Sequence, residues 1–310
     1  MTLNQFGRKI GLYVGTNSQG LDLSALEIEF KTCANDFNAP NTALIRVYNP
    51  APNTVTQIQN EYTVVSLQAG YENGNYGIIF QGTIMQVRTG KVENVTRFID
   101  IKAADADLFH SFGVVNTTLA PGASQQDVLN KIKPALTANG VTIDQNANQA
   151  LSPSGGILPR GKVLHGMGKN YISTLADKAG ARWYIENGTL KIVPLTGYLQ
   201  GEAIVINSDT GLIGVPEATE NGIYVRCLLN SKIQVGNTVK LNNAEIINNQ
   251  VKQQGFPTYT NTAFFASLSP DGLYTVMVKE HQGGNRINPF YTDLVCLAID
   301  QSSNKVAAYG

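Results

Sequence analysis

Charge is what this sequence has least of. Only 15% of its 310 residues are Asp, Glu, Lys or Arg, where a typical soluble domain has about 25%. The 23 basic residues cancel the 23 acidic ones. A protein that grips a nucleic-acid backbone by releasing counterions carries a basic surplus, so sequence-specific nucleic-acid binding is not expected. Cysteine is also scarce. Cys33, Cys227 and Cys296 are odd in number and far apart, with no C-x-x-C, which predicts buried thiols in a reducing compartment and no disulfide framework. No stretch approaches the ~20 apolar residues of a membrane span, and Met1 to Lys9 has no apolar run before a small-residue cleavage site. The expectation is a chain made and folded in a cytosol, without a membrane span.

The material for catalysis is thin. His110, His165 and His281 are the only histidines, and none has a partner at the spacing of a zinc-binding helix. Gly-x-x-x-x-Gly-Lys-Ser/Thr, Gly-x-Ser-x-Gly and Gly-x-Gly-x-x-Gly are all missing, which excludes the common phosphate-loop and hydrolase motifs. Three weaker patterns remain. Asp209-Thr210-Gly211 has the local form of an aspartic-protease loop, but polar Asn207-Ser208 precede it where an apolar strand end belongs. Asp105-Ala106-Asp107 with His110 offers metal ligands, yet it also makes an ordinary polar strand exit. His281 and Arg286 flank Gly283-Gly284 and could hold an anion, although a strand leaving through a Gly-rich turn explains them more simply. No catalytic residue, metal site or cofactor is expected, and the interface residues are not legible.

What is present is a globular chain, 43% hydrophobic, with 30 Asn matching its 30 Gly. Low charge at neutral pH leaves room for association. Leu26–Phe30, Thr42–Tyr48, Tyr62–Tyr71, Ile78–Phe80, Thr83–Arg88 and Val95–Ala103 read as strands separated by turns, with Gly82 marking a bulge. This predicts a first β-barrel domain over 1–106. The middle, 107–200, changes character. Ser124 and Asp127 open a helix that Pro134 should kink or split and Asn139-Gly140 should end. A second helix is predicted from Gly168 to Ala179, then a hairpin over 182–193 turning at Asn187-Gly188. Trp183, the only tryptophan, belongs to a core on this pattern rather than to a ligand platform. Strands return over 201–310, at Ile223–Leu228, Ile233–Val235, Thr238–Leu241, Leu273–Val278 and Leu294–Ile299, predicting a second β-barrel domain. Leu44–Asn49 can be laid over Tyr224–Asn230, and Tyr62–Leu67 over Asn237–Leu241, so an internal duplication would give two related barrels. The fold class expected is mainly β, two related β-barrel domains with an inserted α+β helix-and-hairpin domain. Polar loops near 72–77, 144–161 and 242–263 are the expected contact sites.

The order of features carries a resemblance. Asn41-Thr42-Ala43 to Pro50 leads to Val65-x-Leu-x-Ala-Gly-Tyr71, then Ile79-Phe80-x-Gly82-x-Ile84, Ile101-x-Ala103-x-Asp105, the Trp183–Pro194 hairpin, Gly211–Pro216, and Gly272-x-Tyr274-x-Val276 with His281-x-Gly283. This order resembles the baseplate hub proteins of contractile-tailed bacteriophages over nearly the whole chain. The resemblance implies a non-enzymatic homotrimer whose six barrels match the sixfold tail tube on one side and the threefold central spike on the other. It implies as partners further copies of the chain, the tail tube or tube-initiator protein, the spike, surrounding baseplate proteins and the tape measure protein. It places the chain in the virion, assembled in the host bacterial cytoplasm. No lysozyme-like insertion is evident, so cell-wall hydrolysis is not expected. Two other classes compete with this reading. A β-rich receptor or carbohydrate-binding module of a tail would group exposed aromatics on one face; a hydrolase, the remote alternative, would lose activity on Asp209→Asn with its fold intact.

Overall fold

The computed structural model describes residues 5–16, 19–93, 95–147, 151, 156–195, 197–199, 201–219, 221–247 and 268–299. Its first half runs β1 (Arg8–Gly15), β2 (Gly20–Asp22), β3 (Glu27–Asn35), β4 (Thr42–Tyr48), α1 (Pro52–Asn60), β5 (Val64–Tyr71), β6 (Tyr76–Val92) and β7 (Thr96–Ala104). Period-2 alternation sends Ile28, Phe30, Ile45, Val47, Leu67, Ile99 and Ile101 into one apolar core. Three elements lie outside the sequence expectations, β2 among them. β1 precedes the first predicted strand, and α1 is an Asn-, Gln- and Thr-rich turn of chain that buries only Ile58, with Pro52 at its start, where a missing N–H costs nothing. The predicted bulge also moves. β6 is one 17-residue strand whose register against β7 shifts between Ile84 and Gln86. Gly82 has a different task, since a Cβ there would stand 2.5 Å from the Ala104 carbonyl oxygen. Residues 72–75 form a tight turn rather than a long loop.

The middle contains α2 (Asp107–Phe112), β8 (Val114–Leu119), α3 (Gln125–Ala138), β9 (Thr142–Ile143), β10 (Lys162–Met167), α4 (Gly168–Lys178), β11 (Ala181–Glu186) and β12 (Thr189–Pro194). The Ser124 hydroxyl accepts from the Asp127 N–H, and the Asp127 carboxylate accepts from the Ser124 N–H, a reciprocal cap. α3 continues through Pro134 instead of splitting. Asn187 and Gly188, at φ 50° and 71°, make the expected hairpin turn. α3 and α4 cover this hairpin, and Val128, Ile132, Ile172, Leu175, Trp183 and Leu190 meet in a separate core. Of the loop predicted over 144–161, residues 148–150 and 152–155 lie outside the described residues, as do 248–263 of the predicted 242–263 loop.

The second half runs β13 (Ile204–Val205), β14 (Glu217–Thr219), β15 (Gly222–Leu228), β16 (Thr238–Lys240), β17 (Leu273–Gly284) and β18 (Phe290–Ala298) around a third core. Ile233–Val235, predicted as a strand, is irregular and turn structure. The two β halves share one path of neighbours. In the first the order is β3-β4-β7-β6-β5-β1; in the second it is β14-β15-β18-β17-β16-β13. With β2, which extends the edge beyond β1, set aside, numbering each half along the chain gives the same sequence of pairings. The bulges coincide too, one at Met85 in β6 against β7 and one at Met277 in β17 against β18. The one difference in sense is the edge pair, antiparallel for β1 and β5 and parallel for β13 and β16. On this register Arg46 corresponds to Arg226 and Leu67 to Leu241, as the sequence overlay has them.

The halves are not separate sheets. β17 gives residues 273–275 to β16, then residues 278–284 to β3 in antiparallel register, Glu280 opposite Cys33 and Gln282 opposite Lys31. One 13-stranded sheet results. The first core also borrows Leu229 and Phe290 from the second half, Phe290 lying edge-on to Tyr71 with centroids 5.5 Å apart.

Buried polar groups fasten the middle to both halves. Glu186, at the end of β11, accepts from Lys279 of β17 at 2.7 Å and from Lys191 of β12 at 3.0 Å. Burial alone would raise its pKa, but the two ammonium groups hold it below the usual carboxylate value. Tyr184 donates to the Val235 carbonyl at 2.8 Å, and Arg182 meets Asp36 at 3.0 Å. At the hairpin tip, Asn41 donates to the Ile185 carbonyl at 2.8 Å, and the Gly188 N–H donates to Asp105 at 3.0 Å. Burial pushes the Asp105 carboxyl up to about 7.

Two outcomes follow from this junction. Glu186→Ala leaves Lys279, whose side chain is 3% exposed, as a buried uncompensated charge, and should lower unfolding free energy in urea by about 3–5 kcal/mol. Asp105 keeps its proton to about pH 7 when folded but releases it near ~4 when unfolded. The folded state therefore binds more protons across that window, and stability falls as pH rises through it. Asp105→Asn should flatten this slope and be the more stable protein at pH 8, measured by denaturation at a series of pH values.

Candidate functional site

From β14 to β6 eight strands lie side by side in the order β14, β15, β18, β17, β3, β4, β7, β6. Because strand side chains alternate, one surface of this run meets the two apolar cores and the other is polar. The polar surface carries Lys31, Arg46, Arg88, Lys102 and Arg226 against Glu27, Glu29, Asp100, Glu217, Glu280 and Asp293, five basic and six acidic groups. It is a broad surface of nearly balanced charge.

Two constructions on it are the same device built twice. In the first half Arg46 Nε meets Asp100 Oδ1 at 2.6 Å and its Nη2 meets Oδ2 at 3.0 Å. In the second Arg226 Nε meets Asp293 Oδ1 at 2.6 Å and its Nη2 meets Oδ2 at 3.1 Å. Both are the two-pronged geometry that a planar guanidinium makes with a carboxylate. Each guanidinium also lies over an aromatic ring two residues before its Asp, Phe98 at 4.3 Å and Tyr291 at 5.0 Å. Hydrogen bonding from Arg46 holds Asp100 below its ordinary carboxylate pKa, and the same bonds raise Arg46; the Asp293 bonds likewise raise Arg226. The sequence overlay aligned the two arginines but not their partners. The pattern aromatic-x-Asp, Phe98-x-Asp100 and Tyr291-x-Asp293, is the signal that would have located them.

The residues singled out for chemistry serve the fold. Asp209 is exposed in a short turn capped by Asn207, with the Asp209 and Thr210 N–H groups donating to the Asn207 side chain. Asp105 holds the hairpin tip, and His110 is stacked on Trp183, centroids 5.7 Å apart, with burial lowering its pKa. Trp183 is itself buried and donates to Ser173 at 3.0 Å. His281 is fully buried against the Thr292 hydroxyl at 2.8 Å, while Arg286 is exposed near Glu27, so the two do not meet as an anion site. The exposed face of β10 carries His165 opposite Asn116. Among the described residues no group of three or more His, Cys, Asp or Glu is placed to hold a metal ion.

Asp100 and Asp293 are buried beneath partly exposed guanidinium groups, so Asp100→Ala and Asp293→Ala should each cost about 1.5–3 kcal/mol, the scale of hydrogen bonds to a charged group. The carboxylates stand four strand spacings apart, roughly 19 Å at the usual interstrand distance. Their double variant should therefore be additive within about 0.5 kcal/mol in urea denaturation.

Comparison with known proteins agrees with this architecture. A tail protein of Neisseria meningitidis MC58 superposes with a TM-score of 0.55 at 11% identity, covering 94% of this chain and 97% of that one. A 43 kDa tail protein of prophage MuSo2 from Shewanella oneidensis gives 0.56 at 7% identity, covering 94% and 99%. An E. coli component of the type VI secretion system, described as structurally similar to the T4 bacteriophage tail proteins gp27 and gp5, gives 0.52 at 8% identity, covering 89% and 74%. At such identities these likenesses speak for the fold alone. No curated protein sequence matches the chain. The sequence profile of the family described as baseplate hub gp41 matches residues 44–259, from the second strand of the shared polar surface through the whole middle and into the second half. The chain belongs to the baseplate hub gp41 family, β-rich structural proteins of the bacteriophage tail baseplate.

Proposed function

We propose that this baseplate protein is a homotrimeric hub that adapts a sixfold tail tube to a threefold central spike in a contractile tail. The observation that carries the reading is the doubled strand path with its two Arg–Asp–aromatic forks. Three chains, each holding two equivalent β units in one sheet, approximate a sixfold surface while retaining true threefold symmetry. A tube or tube-initiator protein would meet the sixfold side; a spike would meet the threefold side, with other baseplate proteins around the rim and the tape measure protein within. The nearly balanced polar surface of the eight-strand run would line the central channel, where a passing polymer of either charge is neither held nor repelled.

The middle is the natural projecting part. It has its own core, and the face of β8 and β10 directed away from that core exposes Val114 and Val163. Asp105, His110 and His281, weighed for chemistry, are occupied in packing, and exposed Asp209 sits in a simple capped turn, which favours a non-enzymatic role. The test is mass. Light scattering on the purified chain should give three chains of 33.4 kDa, about 100 kDa; a strict monomer that also fails to enter assembled tail particles overturns the reading.

A further inference from the structure

The middle holds a cavity of about 300 Å³ between the start of α3, the loop before β10 and the last turns of α4. Its floor is apolar. Val128 and Leu175 belong to the core beneath it, and Ile157, 70% exposed, stands at its mouth. Lys162 and Lys178 line it as well, and among the described residues no Asp or Glu does. The cavity therefore combines an aliphatic surface with uncompensated positive charge, a pairing that neither a packing gap nor an ordinary solvated face requires.

Two further observations mark it as a built site. The loop at the mouth is clamped to the approach of α3 by backbone bonds: the Leu158 N–H donates to the Ala123 carbonyl and the Gly122 N–H to the Leu158 carbonyl, both at 2.8 Å. Ile157 is thus held in place beside the cavity before anything enters it. Gln125, the first residue of α3, lines the cavity and is more than nine-tenths buried, yet its Oε1 has no hydrogen-bond partner among the described residues. A buried acceptor left unpaired is costly. Because the terminal amide torsion of Gln is broad, a small rotation turns this oxygen toward a donor that enters.

We propose that this cavity takes a short peptide segment of a partner protein in which a carboxylate side chain stands beside an aliphatic one. The aliphatic group covers Val128, Leu175 and Ile157; the carboxylate meets Lys162 and Lys178; a backbone N–H of the segment donates to Gln125 Oε1. An inorganic anion would satisfy the lysines alone, and a hydrocarbon the floor alone. A peptide supplies all three at once. The volume lies at the low end for ligand pockets and suits about one or two residues, so the segment is a local anchor within a larger contact. The cavity lies wholly in the middle, with its own core, and the inference does not depend on the trimer.

The test uses the full chain with methyl-labelled Ile, Leu and Val, titrated with acetyl-Ala-Glu-Leu-Ala-amide, the same peptide with Gln for Glu, and isovalerate. The Glu peptide should shift the Val128, Ile157 and Leu175 methyl resonances with a Kd on the order of 1 mM, and the Gln peptide should bind about fivefold more weakly or worse. Lys162→Gln and Lys178→Gln should each weaken the Glu peptide about twofold to fivefold and leave the Gln peptide unchanged. Gln125→Met, which keeps the length and loses the acceptor, should weaken the Glu peptide about twofold to tenfold and leave isovalerate, which has no N–H, unchanged. Equal binding of the two peptides overturns the part given to the lysines. Isovalerate that binds as tightly as the Glu peptide overturns the peptide in favour of a simple carboxylate. No shift of these methyls with any probe at about 10 mM overturns the site. The methyl spectrum of each variant reports its fold, and Lys178, exposed at the end of α4, can be replaced without disturbing the core.

Discussion

The antiparallel pairing of β3 with residues 278–284 of β17 holds the two halves as one sheet, and the rest of the molecule is arranged around it. Without it each half would present an unpaired edge, and long exposed edges are sites of uncontrolled association. With it the polar surface runs unbroken across eight strands, and Phe290 of the second half can pack between Phe30 and Tyr71 of the first. The pairing also brings Lys279 to the place where the middle must dock.

That docking is made by charges rather than by apolar area. Glu186 is enclosed by Lys279 and Lys191, Lys191 also donating to the Gln234 side chain, and Asp36 meets Arg182. Buried ion pairs repay little of their desolvation in net stability, but they penalise any arrangement in which a partner is absent. Among the described residues, Ala34, Tyr184, Val193 and Val235, with Leu199 beside them, form the small apolar cluster at this junction. The middle is thus set in one orientation by directional contacts, which suits a part whose position relative to a ring matters more than its binding strength.

Much of the secondary structure was legible. Alternation located β3, β4, β5, β7 and β15; the Ser124 cap located α3; Asn187-Gly188 fixed the hairpin. The misses have local causes. α1 buries one residue and so has no apolar stripe to read. Gly82 invited a bulge because its need for close approach to Ala104 is invisible in one dimension. Two repeats were half visible, since Arg46 and Arg226 align in short strands while Asp100 and Asp293 sit in strands of different neighbouring sequence.

The sequence by itself determined the balance of strands and helices, the apolar face of each strand and the turns between them, because these depend on residues a few positions apart. It also determined the scarcity of charge that a chain with interfaces on several sides requires. Only the tertiary structure decided that the halves share one sheet, that Arg46 and Arg226 each grip an aspartate more than fifty residues away, and that residues 86–92 of β6 pair on one side alone among the described residues. These are matters of strand order and register, and register between distant strands is set by the simultaneous burial of both partners' apolar faces.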